Sequence, residues 1–295
     1  MSHFGLKIRM AVVGAILAAF YLVAVAVAMV VFGQGILPIA IVGSLLLVGI
    51  QYKIGKWAAL RSVGAEDLSE TQHSEIHRFV ERVCDEKNMK KPSLKIASMG
   101  VPNAFAVGRR GNGTIVISRE LIQLLNRDEL EGVVAHELAH IDNRDVITMQ
   151  LGQGIASIVA IVAQYVVLFT GDNDLADFFL AVVVGQVVQF LVMIFVLAIS
   201  RYREYVADAD AKRVIDSGDP LARALEKIDQ GNQQARESTR TAQRSHGRTR
   251  RDRRRDTNVD QQVSALCIAS PDRGFLQQIV STHPPMEKRI ERLRS

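Results

Sequence analysis

No Asp, Glu, Lys or Arg occurs between Met10 and Tyr52. So long an uncharged run does not suit the surface of a water-soluble domain, and about 20 apolar residues suffice for one helix to cross a bilayer. The run breaks at Gly33-Gln34-Gly35, with Pro38 just beyond, and these are turn residues. It reads as two spans, roughly Met10–Phe32 and Ile36–Tyr52. Two more uncharged blocks, Ile147–Gly171 and Phe178–Ser200, flank an acidic turn from Asp172 to Asp177. They read as spans three and four, a membrane hairpin. The first block exceeds the 7–15-residue apolar core of a cleaved signal and runs straight into another span, so it reads as an anchor.

Lys and Arg set the orientation. Lys7 and Arg9 precede span one, Lys53, Lys56 and Arg61 follow span two, and Arg201, Arg203, Lys212 and Arg213 follow span four. The turns within each span pair carry neither residue. All basic flanks thus share one side. The expectation is a multi-pass protein of the cell (plasma or inner) membrane, with both termini and both large polar segments cytoplasmic. Four parts follow: spans at 1–52, a cytosolic segment at 53–146, the hairpin at 147–200 and a second cytosolic segment at 201–295.

Cys84 and Cys267 lie far apart and form no disulfide framework or zinc-ribbon spacing. Reduced thiols in a cytosolic part fit them. The net charge of +5 is local: nine arginines stand against four acids between Gln230 and Gln262. That stretch has almost no large apolar residue, and a disordered insert is expected at about 230–262. Near a membrane it would touch anionic lipid headgroups. No aromatic residue is interleaved, so specific nucleic-acid binding has no support.

The fold class expected is mainly α: four transmembrane helices and a cytosolic, mostly helical domain with a small β-sheet. In the first cytosolic segment, Ser69 would cap a helix to about Lys87. Ser93–Ala97 and Thr114–Ser118 alternate as strands, and Ala104–Val107 pairs with the latter through a hairpin. Ser118 starts a short helix, and Asn126 with Glu129 forms a capping box for the next. In the second segment, Arg201–Ile215 continues span four and Leu221–Ile228 is helical. Two final helices, about Gln262–Ser281 and Glu287–Arg294, are broken by Thr282-His283-Pro284-Pro285.

The chemistry sits at His136-Glu137-Leu138-Ala139-His140, an H-E-x-x-H motif. Residues four apart lie on one helix face, so two imidazoles there can share one Zn²⁺. Glu137, next to the first ligand, is placed to take a proton from the attacking water. A catalytic zinc needs a third protein ligand. The metzincin continuation would need Gly at 143 and His at 146; Asn143 and Val146 exclude it. Glu204 and Asp208, four apart just after span four, are the candidates, because the hairpin returns the chain to the face it left.

At Ser200-Arg201-Tyr202-Arg203-Glu204-Tyr205-Val206-Ala207-Asp208-Ala209 the chain resembles the E-Y-x-A-D segment of HtpX-type membrane metalloproteases, relatives of prenyl-protein-processing proteases. The likeness covers the whole chain: two spans, H-E-x-x-H, a span pair, then E-x-x-x-D. Pro102-Asn103-Ala104-Phe105-Ala106 is similar to that family's strand by the cleft, Asn143 and Asp145 to its residues after the second His, and Ser281-Thr282-His283-Pro284-Pro285 to its carboxy-terminal motif. The resemblance implies one Zn²⁺ per chain, held by His136, His140 and Glu204, with Glu137 as base. It implies that Asp208 orients a ligating His, with Asn143 also around the ligands. It implies backbone hydrogen bonds from Asn103 and Ala104 to an extended substrate, and an oxyanion role for His283. The expected work is hydrolysis of misfolded or damaged membrane and cytosolic proteins. The alternatives are processing of prenylated carboxy-terminal peptides, or a non-catalytic zinc-binding scaffold or sensor. The arginine tract is longer and more basic than the family pattern.

Overall fold

The computed structural model describes residues 3–33, 35–172, 174–245 and 284–295. The chain forms two units, each made of two separate stretches. The first comprises Met1–Gly55 and Ile147–Arg203, the second Lys56–Val146 and Glu204–Ser295.

The first unit is helical. It holds α1 (His3–Phe32), most of α2 (Ile36–Ser62), nearly all of α6 (Asp145–Thr170) and the first part of α7 (Leu175–Val214). Three stretches among the described residues are long and apolar enough to cross a membrane: Ala11–Val31 of α1, all of α6 and α7. Four spans were expected. The second is a helix, but its uncharged part, 36–52, lies at the short end of the roughly 17–25 residues a span requires. It continues without a break through Lys53, Lys56 and Arg61. Small residues let α6 and α7 approach closely. Ala156 and Ala160 are buried, and a Cβ on Gly152 would touch Val196 at 3.1 Å. Leu17 of α1 joins Ala156, Val192 and Val196 in this core, with the Phe20 and Phe195 rings 5.5 Å apart. Packing of this kind, rather than water exclusion, holds helices together in lipid.

The second unit is built on a four-stranded sheet of order β1-β2-β4-β3, with strands Glu66–Asp67, Ser93–Ala97, Ala104–Arg109 and Asn112–Ser118. β2 and β4 run parallel; β1 and β3 are antiparallel to their neighbours. The expected hairpin is present, with Ala104 opposite Ile117. Gly108 and Gly111 take the positive φ its turn requires, 100° and 90°. Helices cover both faces of the sheet. On one side α3 (Ser74–Glu86), α4 (Arg119–Leu124), α5 (Arg127–Asp142) and α8 (Asp219–Ser245) enclose a core. Phe79, Val80, Ile115, Ile117, Val133, Leu138 and Leu225 belong to it. On the other, Ala59 and Leu60 of α2 pack on Phe105, Val107 and Val116. Cys84 is buried in the first core, and burial, then Asp85, pushes its thiol up to about 11, so it is unreactive. Cys267 lies outside the described residues.

Two boundaries differ from expectation. α3 begins at Ser74, not near Ser69, because Ser69 forms its own turn, its hydroxyl bonding Thr71 and the Gln72 amide. The arginine tract, expected to be disordered from about 230, is helical as far as Ser245. Leu221, Leu225 and Ile228 anchor the amino-terminal half of α8 in the core, and Gly231 lies against Pro102 and Leu124. A helix nucleated by packing extends readily through Gln, Ala, Arg and Glu. The remainder of the tract, the helix expected at Gln262–Ser281 and His283 lie outside the described residues. The last helix, α9, runs from Met286 to Arg294.

Candidate active site

The capping box predicted at Asn126 is formed. Asn126 Oδ1 accepts from the Glu129 amide and Glu129 Oε2 from the Asn126 amide, both at 3.0 Å. Glu129 also takes a 2.7 Å hydrogen bond from Lys227, which ties α5 to α8. So fixed, α5 presents His136, Glu137 and His140 inside the fold, with His136 and Glu137 buried. α7 supplies Glu204 and Asp208, also buried, from successive turns.

Donor atoms of His136, His140 and Glu204 all lie within 4.8 Å of one another. The two Nε2 atoms are 3.0 Å apart, and each is 3.5 Å from an oxygen of Glu204. An ion with four ligands at about 2.0–2.1 Å has tetrahedral edges of about 3.3–3.4 Å. These separations are close to that size, with Oε2 of Glu204 facing His136 and Oε1 facing His140. The outer partners support the same conclusion. His136 Nδ1 is 3.0 Å from Asp208 Oδ1, and His140 Nδ1 is 2.6 Å from Asp145 Oδ2. Asp145 fixes the Nδ1–H tautomer of His140, Asp208 stands beside Nδ1 of His136, and the two Nε2 atoms face each other. At 3.0 Å two bare lone pairs would repel, so the pair needs a shared proton or a metal cation between them. The set fits a metal.

Arg289 of α9 is fully buried here. Its Nε and Nη2 donate to the two oxygens of Asp208 at 2.9 and 2.7 Å, and Nη1 lies 3.3 Å from Glu204. Burial opposes charge on this guanidinium, but Asp208 and Glu204 outweigh it and raise its pKa. Burial likewise opposes ionisation of Asp208, yet Arg289 and His136 hold its carboxyl below the usual range. Burial also disfavours a charged His136, but Asp208 and Glu204 push the imidazole up to about 10. A bound cation would take the place of that proton. At Glu137 burial dominates and raises the carboxyl, against the opposing pull of His140 and His136.

α9 is held by more than Arg289. Leu293 enters the core, the Arg292 guanidinium lies 4.1 Å from the centre of the Tyr205 ring, and Lys212 donates to the Leu293 carbonyl at 3.0 Å. A Cβ on Gly218 would collide with that carbonyl. Gly218→Ala should therefore displace α9 and destabilise the protein by about 1–3 kcal/mol, the usual penalty of overpacking. Thermal unfolding in detergent checks it; an unchanged midpoint would mean that α9 docks more loosely than these contacts indicate.

The structure departs from the sequence reading at two residues. Asn143, expected around the ligands, caps α5 and donates from Nδ2 to Asp210 at 3.0 Å. The neighbouring chain reversal at Arg144 brings Asp145 to His140 instead. Asn103, expected to offer backbone groups to a substrate, has its amide on Ser118 Oγ at 2.9 Å and its carbonyl on the Ser118 amide at 2.8 Å. Hydrogen-bonded and non-bonded residues alternate in an antiparallel pair, so Ala104 and Ala106 turn their backbone groups away from β4. β3 is an end strand of the sheet, and Ala104 on it is fully buried. The sequence reading gives Asp145 no role and does not single out Arg289. The signal for Arg289 is a basic residue within the apolar stripe of Met286, Ile290 and Leu293.

Metal-dependent hydrolysis of peptide bonds by a multi-pass membrane protein is the chemistry this assembly serves: a membrane metalloprotease. A model described as peptidase family M48 matches residues 70–295, and the chain belongs to that family. It is similar to proteins called "Protease HtpX homolog". The one from Halobacterium salinarum is 68% identical over 97% of this chain and 100% of its own length. The one from Pyrococcus abyssi is 35% identical over 98% of this chain and 96% of its own. The crystal structure of S. mikatae Ste24p shares the fold, with a TM-score of 0.56 at 17% identity over 98% of this chain; the chain spans 66% of that protein's length.

Proposed function

We propose that the chain is a zinc endopeptidase that degrades misfolded or damaged membrane and cytosolic polypeptides. His136, His140 and Glu204 hold the ion, and Glu137 is the general base. The observation that carries this is the gathering of one donor atom each from His136, His140 and Glu204 within 4.8 Å of one another, beside the buried Glu137. Three protein ligands leave one position open, as catalytic zinc requires. When bound, zinc polarises the scissile carbonyl as a Lewis acid. Glu137 accepts the proton of the attacking water and delivers it to the leaving amine. Its raised pKa makes it a stronger base for that exchange. Asp208 orients His136, and Arg289 holds Asp208. Ala104, on the end strand β3 with its backbone groups turned away from β4, binds the substrate backbone as an added strand would. His283 is a candidate oxyanion donor.

The basic flanks of α1, α2 and α7 favour a cytoplasmic catalytic unit in the cell membrane, with α2 as a fourth, short span. The arginine tract would lie against anionic headgroups. Processing of prenylated peptides is the weaker reading, because the relatives matched over nearly their whole length carry the HtpX name. The test is to purify the chain in detergent under chelator and offer one test protein in folded and in unfolded form. Cleavage should return on zinc addition and favour the unfolded form. Equal cleavage without zinc, or no preference between forms, would refute the proposal.

A further inference from the structure

We infer that Asp145 is the positioning residue of the second histidine ligand. Its carboxylate lies 2.6 Å from His140 Nδ1, and it is buried. That placement is not what a continuous helix would produce. Five residues at about 100° each would turn residue 145 some 140° around the axis from His140. The chain avoids this by ending α5 at Asp142 and restarting as α6 at Asp145. Arg144 between them adopts φ 56°. A left-handed arginine is strained where glycine would not be. Residues held this way persist where the surrounding structure depends on them. What the reversal achieves here is the return of a carboxylate onto a metal ligand.

The two histidines are thus oriented by different parts of the fold. Asp208, on α7, serves His136 and shares its charge with Arg289. Asp145 serves His140 from the first residue of α6, which continues as an apolar helix to Thr170. The α6 amino terminus favours negative charge at that position. A carboxylate on Nδ1–H fixes the ring plane and strengthens Nε2 as a donor.

This inference rests on the proposed metal site, so the experiment measures metal binding directly. The full-length chain and Asp145→Asn are purified in detergent, and zinc affinity is measured by chelator competition from pH 6 to 9. Cobalt is then substituted and its visible spectrum recorded. Asp145→Asn should bind zinc about 10–100-fold more weakly, with an altered cobalt band. Asn143→Ala should match wild type in both. Asp145→Glu, which keeps the carboxylate on a longer arm, should fall between, and it decides the matter if Asp145→Asn does not fold. Wild-type affinity and an unchanged cobalt band in Asp145→Asn, or in Asp145→Glu where only that variant folds, would overturn the assignment and leave the site itself standing. Failure of the wild type to bind zinc would overturn the site.

Discussion

Glu137→Gln should retain zinc and lose about 10²–10⁴-fold in kcat/KM, the usual contribution of a positioned base. A glutamine side chain is nearly the same size as the carboxylate it replaces, so the buried pocket around it stays filled. Only proton transfer is lost. The pH profile tests the same residue independently. Burial raises the Glu137 carboxyl, and the base must be ionised to accept a proton. Activity should therefore fall as pH drops through a limb lying above the ordinary glutamate range. Loss of zinc by Glu137→Gln would make the residue structural. Zinc bound equally with no cleavage by either form would favour the non-catalytic sensor.

Arg289→Ala should destabilise the protein by about 3–5 kcal/mol, because it leaves Asp208 and part of Glu204 buried without their counter-charge. The side chain is wholly buried, with both Asp208 oxygens at hydrogen-bonding distance from it. Thermal unfolding of Arg289→Ala, Asp208→Asn and the double variant gives the coupling between them. The double variant should recover part of the loss, since neither charge then stands alone. Strict additivity would mean that the pair does not act as a unit and that α9 is held by Leu293 and Arg292 instead.

The parts of this molecule legible in its sequence are those with short-range causes. The H-E-x-x-H ligands follow from helical periodicity, since His136 and His140 share a face wherever α5 sits. Asn126 and Glu129 announce their cap because both partners lie within one turn. The apolar blocks announce α1, α6 and α7. The Ala104–Ser118 hairpin carries its turn glycines with it. Glu204 follows span four directly in the sequence, and it lies beside the histidines in the structure.

The remainder depended on distant packing. Whether residues 230–245 are ordered was decided by the anchored half of α8, not by their own polar composition. Asn103 loses its backbone groups to Ser118, fifteen residues away, a pairing set by sheet register. His140 finds Asp145 rather than Asn143 because one left-handed residue turns the chain back. Arg289 becomes part of the site only because α9 docks by Leu293 against a core from α3, α5 and α8. The sequence by itself determined the shared helical face of His136 and His140 and which segments are apolar, because both are properties of neighbours along the chain. Tertiary structure alone decided that Asp145 stands on His140 and that Arg289 stands on Asp208. A buried charge is tolerated only where its counter-charge arrives, and here that partner lies 81 residues away.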